Sequence, residues 1–161
     1  MKIGLVCPYD YSFPGGVATH VSHLARHFLL MGHQVKVIAP CSKNGNSYFG
    51  EDVINAGRPF STLSNGSLAR ISLSPWLPIQ AKKFLRKERF EIVHIHEPFI
   101  PLLPLTALLE SNSINVGTFH AHLGRARTYW LCRPVFKRWL PKLQGKIAVS
   151  KAAKECVSRS L

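Results

Sequence analysis

The sequence predicts an α/β protein built on a mostly parallel sheet with helices on both faces, and three observations carry that prediction. Short apolar runs rich in β-branched residues alternate with segments whose apolar residues recur at helical spacing. The first such pair, Lys2 to Cys7 and Val17 to Met31, is joined by a loop ending in Pro14-Gly15-Gly16. The 161 residues, 46% of them hydrophobic, are enough for one domain with a sizeable core.

Taken in order, Lys2 to Cys7 reads as a buried strand. In the stretch after the glycines, Val17, Val21, Leu24, Ala25, Phe28 and Met31 occupy one arc of a helical wheel, with Thr19, Ser22, His23 and Arg26 outside it. Gly32 follows where a C-cap glycine belongs. Gln34 to Ala39 is a second strand ended by Pro40, residues 41–50 a loop, and Asp52 to Ala56 a short third strand. Ser61 to Ser67 reads as a polar, turn-rich piece, and Leu68 to Ser74 alternates like an edge strand.

Pro78 to Phe90 reads as a helix. Lys82, Lys83, Arg86, Lys87 and Arg89 lie on one side of it and Ala81, Phe84 and Leu85 on the other, with Glu88 as an interruption. Glu91 to His96 is a buried strand stopped by Glu97-Pro98. Leu102 to Leu109 is a short helix, and Asn115 to Phe119 a strand that delivers His120 and His122. A basic, aromatic segment from Arg125 to Lys142 is broken by Pro134 and Pro141. Lys146 to Val149 is a last strand, and a helix starts at Lys151 with Ser150 as its N-cap.

Composition narrows the function classes. The longest apolar stretch, Phe99 to Leu109, contains two prolines and is far short of the ~20 residues that span a bilayer. Met1-Lys2 leads straight into the first strand without a signal-peptide pattern, so a cytosolic address is expected. Cys7, Cys41, Cys132 and Cys156 are irregularly spaced, which points to reduced thiols and away from a thiolate zinc site. With 21 Lys and Arg against 8 Asp and Glu, the formal charge is +13. Such a balance speaks about partners: nucleic acid, an anionic membrane or a phosphorylated substrate.

In parallel α/β sheets, ligands sit outside the carboxyl ends of the strands. That rule gathers Cys7 to Gly16, His96-Glu97 and His120 to Arg125 on one rim. Strand, glycine loop and helix together aim backbone N–H groups at an anion, so a phosphate-bearing ligand is expected at Gly15-Gly16, although Gly-Gly also occurs in plain tight turns. His94, His96, His120 and His122 form two H-x-H pairs that read either as packed histidines bonded to backbone or as a metal site. A single rim histidine, poised to titrate or donate near neutral pH, fits better than a metal cluster. The basic helix and Trp76 suit an anionic lipid surface or plain solvation. The aromatic residues of the Arg125–Lys142 segment suit lipid headgroups or stacked bases.

Several motifs then converge. Lys2-Ile3-Gly4-Leu5-Val6-Cys7-Pro8-Tyr9, Pro14-Gly15-Gly16-Val17 and His20-Val21 are followed by Asn65-Gly66-Ser67-Leu68-Ala69-Arg70. After these come His94-Ile95-His96-Glu97-Pro98, Thr118-Phe119-His120 and Gly145-Lys146-Ile147-Ala148-Val149-Ser150. In this order and at nearly these spacings they resemble the retaining glycosyltransferases of family 4, closest to the bacterial phosphatidylinositol mannosyltransferase group. The resemblance implies a Rossmann-like domain, the N-terminal, acceptor-side half of a GT-B fold, over residues 1–161. It implies a GDP- or UDP-linked sugar as donor substrate, with no cofactor and no metal.

Site residues follow from the same resemblance. Gly15 and Gly16 would lie against the donor diphosphate, and His120 would orient and stabilise the reacting sugar. Tyr9, Asn65, Ser67, Arg70 and Arg125 would hold a phospholipid headgroup or similar polar acceptor. The helix carrying Lys82, Lys83, Arg86, Lys87 and Arg89, with Trp76, matches a membrane-attachment element, which favours lipid over nucleic acid as the reason for the basic charge. A peripheral position on the inner face of the cell membrane is the matching expectation. Ala18 and Ser64 stand where the mannosyltransferases have glutamine and tyrosine, so the resemblance speaks more to reaction class than to acceptor. The donor-binding C-terminal domain has no counterpart in these residues, so the chain is expected to scarcely turn over without a partner half. The alternative reading is a non-catalytic basic module that binds anionic membrane or nucleic acid.

Overall fold

The computed structural model describes residues 1–42, 49–50, 52–64, 67–72, 74–120 and 133–160. Strands β1 (Lys2–Val6), β2 (Gln34–Ala39), β3 (Val53–Asn55), β6 (Ile92–His96), β7 (Ile114–Phe119) and β8 (Gly145–Ala148) form one six-stranded sheet in the order β3-β2-β1-β6-β7-β8. All five pairings are parallel. The chain winds outward from β1 in both directions, so the strand order reverses between β1 and β6. In doubly wound sheets that reversal opens a crevice at the carboxyl ends.

Two cores fill opposite faces because side chains alternate along each strand. Ile3, Leu5 and Cys7 face helix α1 (Gly16–Leu30) and pack with Ala18, Val21 and Ala25. Val6 and, from β6, Val93 and Ile95 face the other way. They pack with Leu77, Ala81 and Leu85 of α2 (Leu77–Glu88), Leu103, Ala107 and Leu108 of α3 (Leu103–Glu110), and Phe136 of α4 (Arg133–Trp139). Each fully buried Leu or Val contributes about 1.5–3 kcal/mol relative to exposure. Helices on both faces of a parallel sheet are the Rossmann-like arrangement expected. A 3-10 turn, Leu140–Lys142, leads to β8, and α5 (Lys151–Ser160) follows with Ser150 Oγ accepting from the Ala153 N–H at 3.1 Å, the N-cap read from sequence.

The structure corrects three details. Met31, placed in the apolar arc of α1, is 68% exposed, whereas Ser22, placed outside it, is buried. The helix stops at Leu30, and Gly32, at φ 81, closes it in a Schellman turn: Gly32 N–H to Leu29 O and His33 N–H to Phe28 O. Small residues take the closest approach to the sheet, which moves the buried stripe onto Ala18, Ser22 and Ala25. Glu88 is no interruption of α2, for its carboxylate bonds Lys2 Nζ at 2.7 Å and Lys36 Nζ at 3.4 Å, tying the helix end to β1 and β2.

The third correction concerns residues 60–74. Residues 61–64, within the piece read as turn-rich, belong to a strand, β4 (Phe60–Ser64), and the strand read from Leu68 is β5 (Ser67–Ile71), which pairs with β4 in a separate antiparallel hairpin. Ser64 pairs with Ser67, and the Asn65-Gly66 dipeptide of the sequence, outside the described residues, is the strongest two-residue hairpin signal. The hairpin is anchored over the end of β1 by a Tyr9–Ile71 bridge and by the Asp10 N–H bonding to Arg70 O.

Candidate active site

The rim is assembled where β1, β6 and β7 end and α1 begins. Register places His96 beside Thr118 and delivers His120 one residue past β7. His94 and His96, two apart on β6, face α1 together. From α1, His20 brings its edge to both rings, 5.5 Å from His96 and 5.0 Å from His120 between centroids. His94 stacks on His96 at 4.7 Å and 18°, and its Nε2 meets Thr118 Oγ1 at 2.6 Å. His96 Nδ1 lies 2.8 Å from His120 Nε2. These contacts replace the packed, backbone-bonded histidines expected from sequence: the partners are side chains.

Glu97 braces the backbone of His120. It is buried, and a left-handed backbone (φ 51) turns the chain sharply out of β6. Its N–H bonds Thr118 O at 2.8 Å, while its Oε1 accepts the His120 N–H at 2.6 Å. A non-glycine residue with positive φ marks a site where the surroundings over-determine the backbone.

His94, His96 and His120 are held neutral at physiological pH. Burial, then the nearby His20 and His120, lowers His94 to about 4, and burial followed by His20 lowers His120 to about 4. His96, wholly enclosed, lies well below the ordinary histidine range for the same reasons. The rim histidine is therefore one that can donate or accept a hydrogen bond but does not titrate near pH 7, a correction to the expectation that it would. Among the described residues, no group of three His, Cys, Asp or Glu is arranged to hold a metal ion.

Gly15 is the N-cap of α1 in extended conformation, and Gly16 is its first residue. A Cβ added at either would meet nothing within 4 Å, so the helix entry is open. His20 lies one turn along the same helix, which connects this N-terminus to His120. Tyr9 is half-buried, and its phenol is pushed up to about 12 by burial first and then by the Glu97 and Cys7 charges. Arg70, exposed, lays its guanidinium over the Phe13 ring at 4.5 Å to the centroid. Tyr9 and Arg70 thus come together at the root of the hairpin, with Ser67 entering as the first residue of β5. Asn65 and Arg125 lie outside the described residues.

A family model, Glycosyltransferase Family 4, matches residues 14–160. The chain belongs to glycosyltransferase family 4. Similar family relatives are phosphatidyl-myo-inositol mannosyltransferases. That of Mycobacterium leprae is 37% identical over 154 residues, covering 96% of this chain and 41% of the relative. That of Mycolicibacterium smegmatis is 35% identical, covering 96% and 39%, and that of Propionibacterium freudenreichii 34% identical, covering 95% and 42%. The chain spans about two-fifths of the length of these relatives. A solved structure titled "Structure of MT0777" overlays with a TM-score of 0.48 at 10% identity, covering 98% of this chain and 93% of that one.

As a family 4 glycosyltransferase domain, the chain brings to its rim three residues that the sequence placed among the motifs but gave no site role: His20, His96 and Glu97. Signals for each were present. His20 stands four residues, one helical turn, after Gly16. His96 and Glu97 end a strand immediately before a proline, where a parallel sheet presents its functional groups.

On α2 the expected basic side is only partly free. Lys83, Arg86 and Lys87 are exposed, as is Arg89, which ends the helix with a left-handed φ of 50. Lys82 instead pairs with Glu110 of α3 at 2.6 Å. Trp76 and Ile79 add apolar exposure, 67% and 63%, beside the basic residues. No helix among the described residues is long and apolar enough to cross a membrane.

Proposed function

We propose that this chain is the acceptor-side domain of a retaining hexosyltransferase. It moves a mannose-like hexose from a GDP- or UDP-linked donor to a phosphorylated lipid or similar polar acceptor. One observation carries the reading: a neutral His120, fixed through its main chain by Glu97 and in contact with His96, stands beside an open glycine N-terminus. Transfer from a nucleotide sugar requires stabilising negative charge on the departing diphosphate and holding the sugar while its anomeric bond breaks. The first N–H groups of α1 point toward an anion at Gly15-Gly16, and His120 supplies a hydrogen bond to the reacting sugar. On the acceptor side, Tyr9 keeps its proton at neutral pH and donates, and Arg70 offers a charge to a phosphate. Asn65, Ser67 and Arg125 complete that set by family resemblance.

The helix N-terminus contributes only ~0.3–1 kcal/mol to anion binding. A second Rossmann-like domain, supplying the opposite wall and most donor contacts, is therefore part of the proposal, and the isolated chain scarcely turns over. The exposed Trp76, Ile79, Lys83, Arg86 and Lys87 form a peripheral contact with anionic membrane that brings a lipid acceptor to the rim. This favours lipid over nucleic acid as the anionic partner.

The test joins the chain to a C-terminal half from one of the mannosyltransferase relatives. Transfer of labelled sugar from GDP- and UDP-linked donors is then measured on vesicles containing phosphatidylinositol. Transfer is expected, and His120→Ala should abolish it; full transfer by His120→Ala would sink the role given to that residue. A steep salt dependence of oligonucleotide binding with no vesicle binding would instead support a nucleic-acid module without catalysis.

A further inference from the structure

We propose, building on the assignment of His120 as the active-site histidine, that His96 is a positioning residue that fixes His120 as its Nδ1–H tautomer. The two rings share one contact, His96 Nδ1 to His120 Nε2 at 2.8 Å, so one proton lies between two nitrogens. Both rings are neutral at pH 7, because burial penalises either charge. Two arrangements satisfy these facts. Either His96 donates from Nδ1 and His120 accepts at Nε2, or His120 donates from Nε2 and His96 carries its own proton on Nε2.

The surroundings of His96 decide between them. The residue is 0% exposed, and its Nε2 has no hydrogen-bond partner. The second arrangement would strand an N–H donor in the core, whereas the first leaves only an unmet lone pair. Orphaned buried N–H groups are the rarer and costlier defect. His94, stacked on His96 and itself held by Thr118 Oγ1, keeps the His96 ring in the plane that directs Nδ1 at His120. His20 faces both rings edge-on, and no hydrogen bond joins it to His96 Nε2.

A proton fixed on Nδ1 makes His120 a hydrogen-bond donor to a substrate oxygen, a sugar hydroxyl or a departing phosphate oxygen. It does not then serve as a proton acceptor. His96 touches no substrate and acts through His120.

Long-range ¹H–¹⁵N correlation spectra of the chain, labelled at its imidazole nitrogens and recorded near pH 7.5 without donor or acceptor, read the tautomer directly. His120→Gln identifies the His120 signals by their loss. Native His120 should show the Nδ1–H pattern in roughly tenfold excess or more. His96→Asn, which keeps an N–H donor near the Nδ1 position, should preserve it. His96→Asp, which presents an acceptor, should switch His120 to Nε2–H. A native His120 in the Nε2–H form would overturn the proposal, even if His96→Asp does not fold. An unchanged His120 in a folded His96→Asp chain would overturn it equally. No substrate is present, so failure here is separate from failure of the transferase reading, which the activity of His120→Ala decides.

Discussion

At the scale of single residues, Gly16 poses the sharpest question, because its own fold does not require a glycine there. Its φ is not positive, and a Cβ at that position would touch nothing. Replacing glycine by alanine in a compatible helical position stabilises by about 0.4–1 kcal/mol, chiefly through the unfolded chain. Gly16→Ala should therefore melt no lower than the native protein, and slightly higher if anything. The same methyl group would occupy the space proposed for the donor diphosphate. Transfer by the two-domain enzyme should fall at least roughly tenfold, a loss of about 1.4 kcal/mol in transition-state stabilisation. Thermal melting paired with transfer kinetics separates the two effects; native-rate transfer by Gly16→Ala would remove Gly16 from the donor site. The places of Gly16 at the head of α1 and of His120 just past β7 were legible from strand-end position and motif. The support behind His120 was not, because it depends on the β6–β7 register that sets His96 beside Thr118 and on the backbone turn at Glu97. Neither is encoded in local spacing.

At the scale of elements, α2 shows how one helix divides its charges between structure and surface. The wheel placed Lys82 with the other basic residues, yet Glu110 captures it, and Glu88 is drawn to Lys2 and Lys36. What remains outward is Lys83, Arg86 and Lys87 with Trp76 and Ile79. Near an anionic surface each such charge is worth ~1 kcal/mol. Changing Lys83, Arg86 and Lys87 together to alanine should thus weaken binding to phosphatidylserine vesicles by roughly a hundredfold, measured by co-sedimentation at low salt. Lys82→Ala should leave vesicle binding nearly unchanged and lower stability slightly through the lost pair. Equal losses from both variants would mean that the outward face has no special part in attachment. The alternation of strands and helices was readable because buried parallel strands leave strong apolar runs. The β4–β5 hairpin was not, because its residues are polar and its decisive signal is the Asn65-Gly66 pair alone.

At the scale of the whole molecule, the histidine cluster makes folding itself depend on pH. His94, His96 and His120 have folded-state values lowered from 6.5 and sit on the sheet face covered by α1. A histidine held neutral by the fold binds more protons when the chain unfolds. Its contribution is fully present above about pH 6.5 and lost as pH falls toward the folded value. For His94, buried and lowered to about 4, the loss between pH 7.5 and pH 5 is about 2 kcal/mol. Glu88 is also lowered, first by its bond to Lys2, so its stabilisation too is lost on acidification, but only as pH falls below the ordinary carboxylate value of 4.5, a more acidic window. The denaturant midpoint should consequently drop steadily from pH 7 to pH 5, above the ordinary carboxylate value of 4.5. The net charge of +13 adds self-repulsion that grows in the same direction, but salt screens it, whereas burial of the imidazoles is not screened. Repeating the titration at high salt therefore isolates the histidine contribution. His94→Gln, which cannot take up a proton, should flatten the pH 5–7 slope at high salt, even if it lowers stability at pH 7.5. A slope identical to that of the native chain would show that protonation of His94 does not oppose folding.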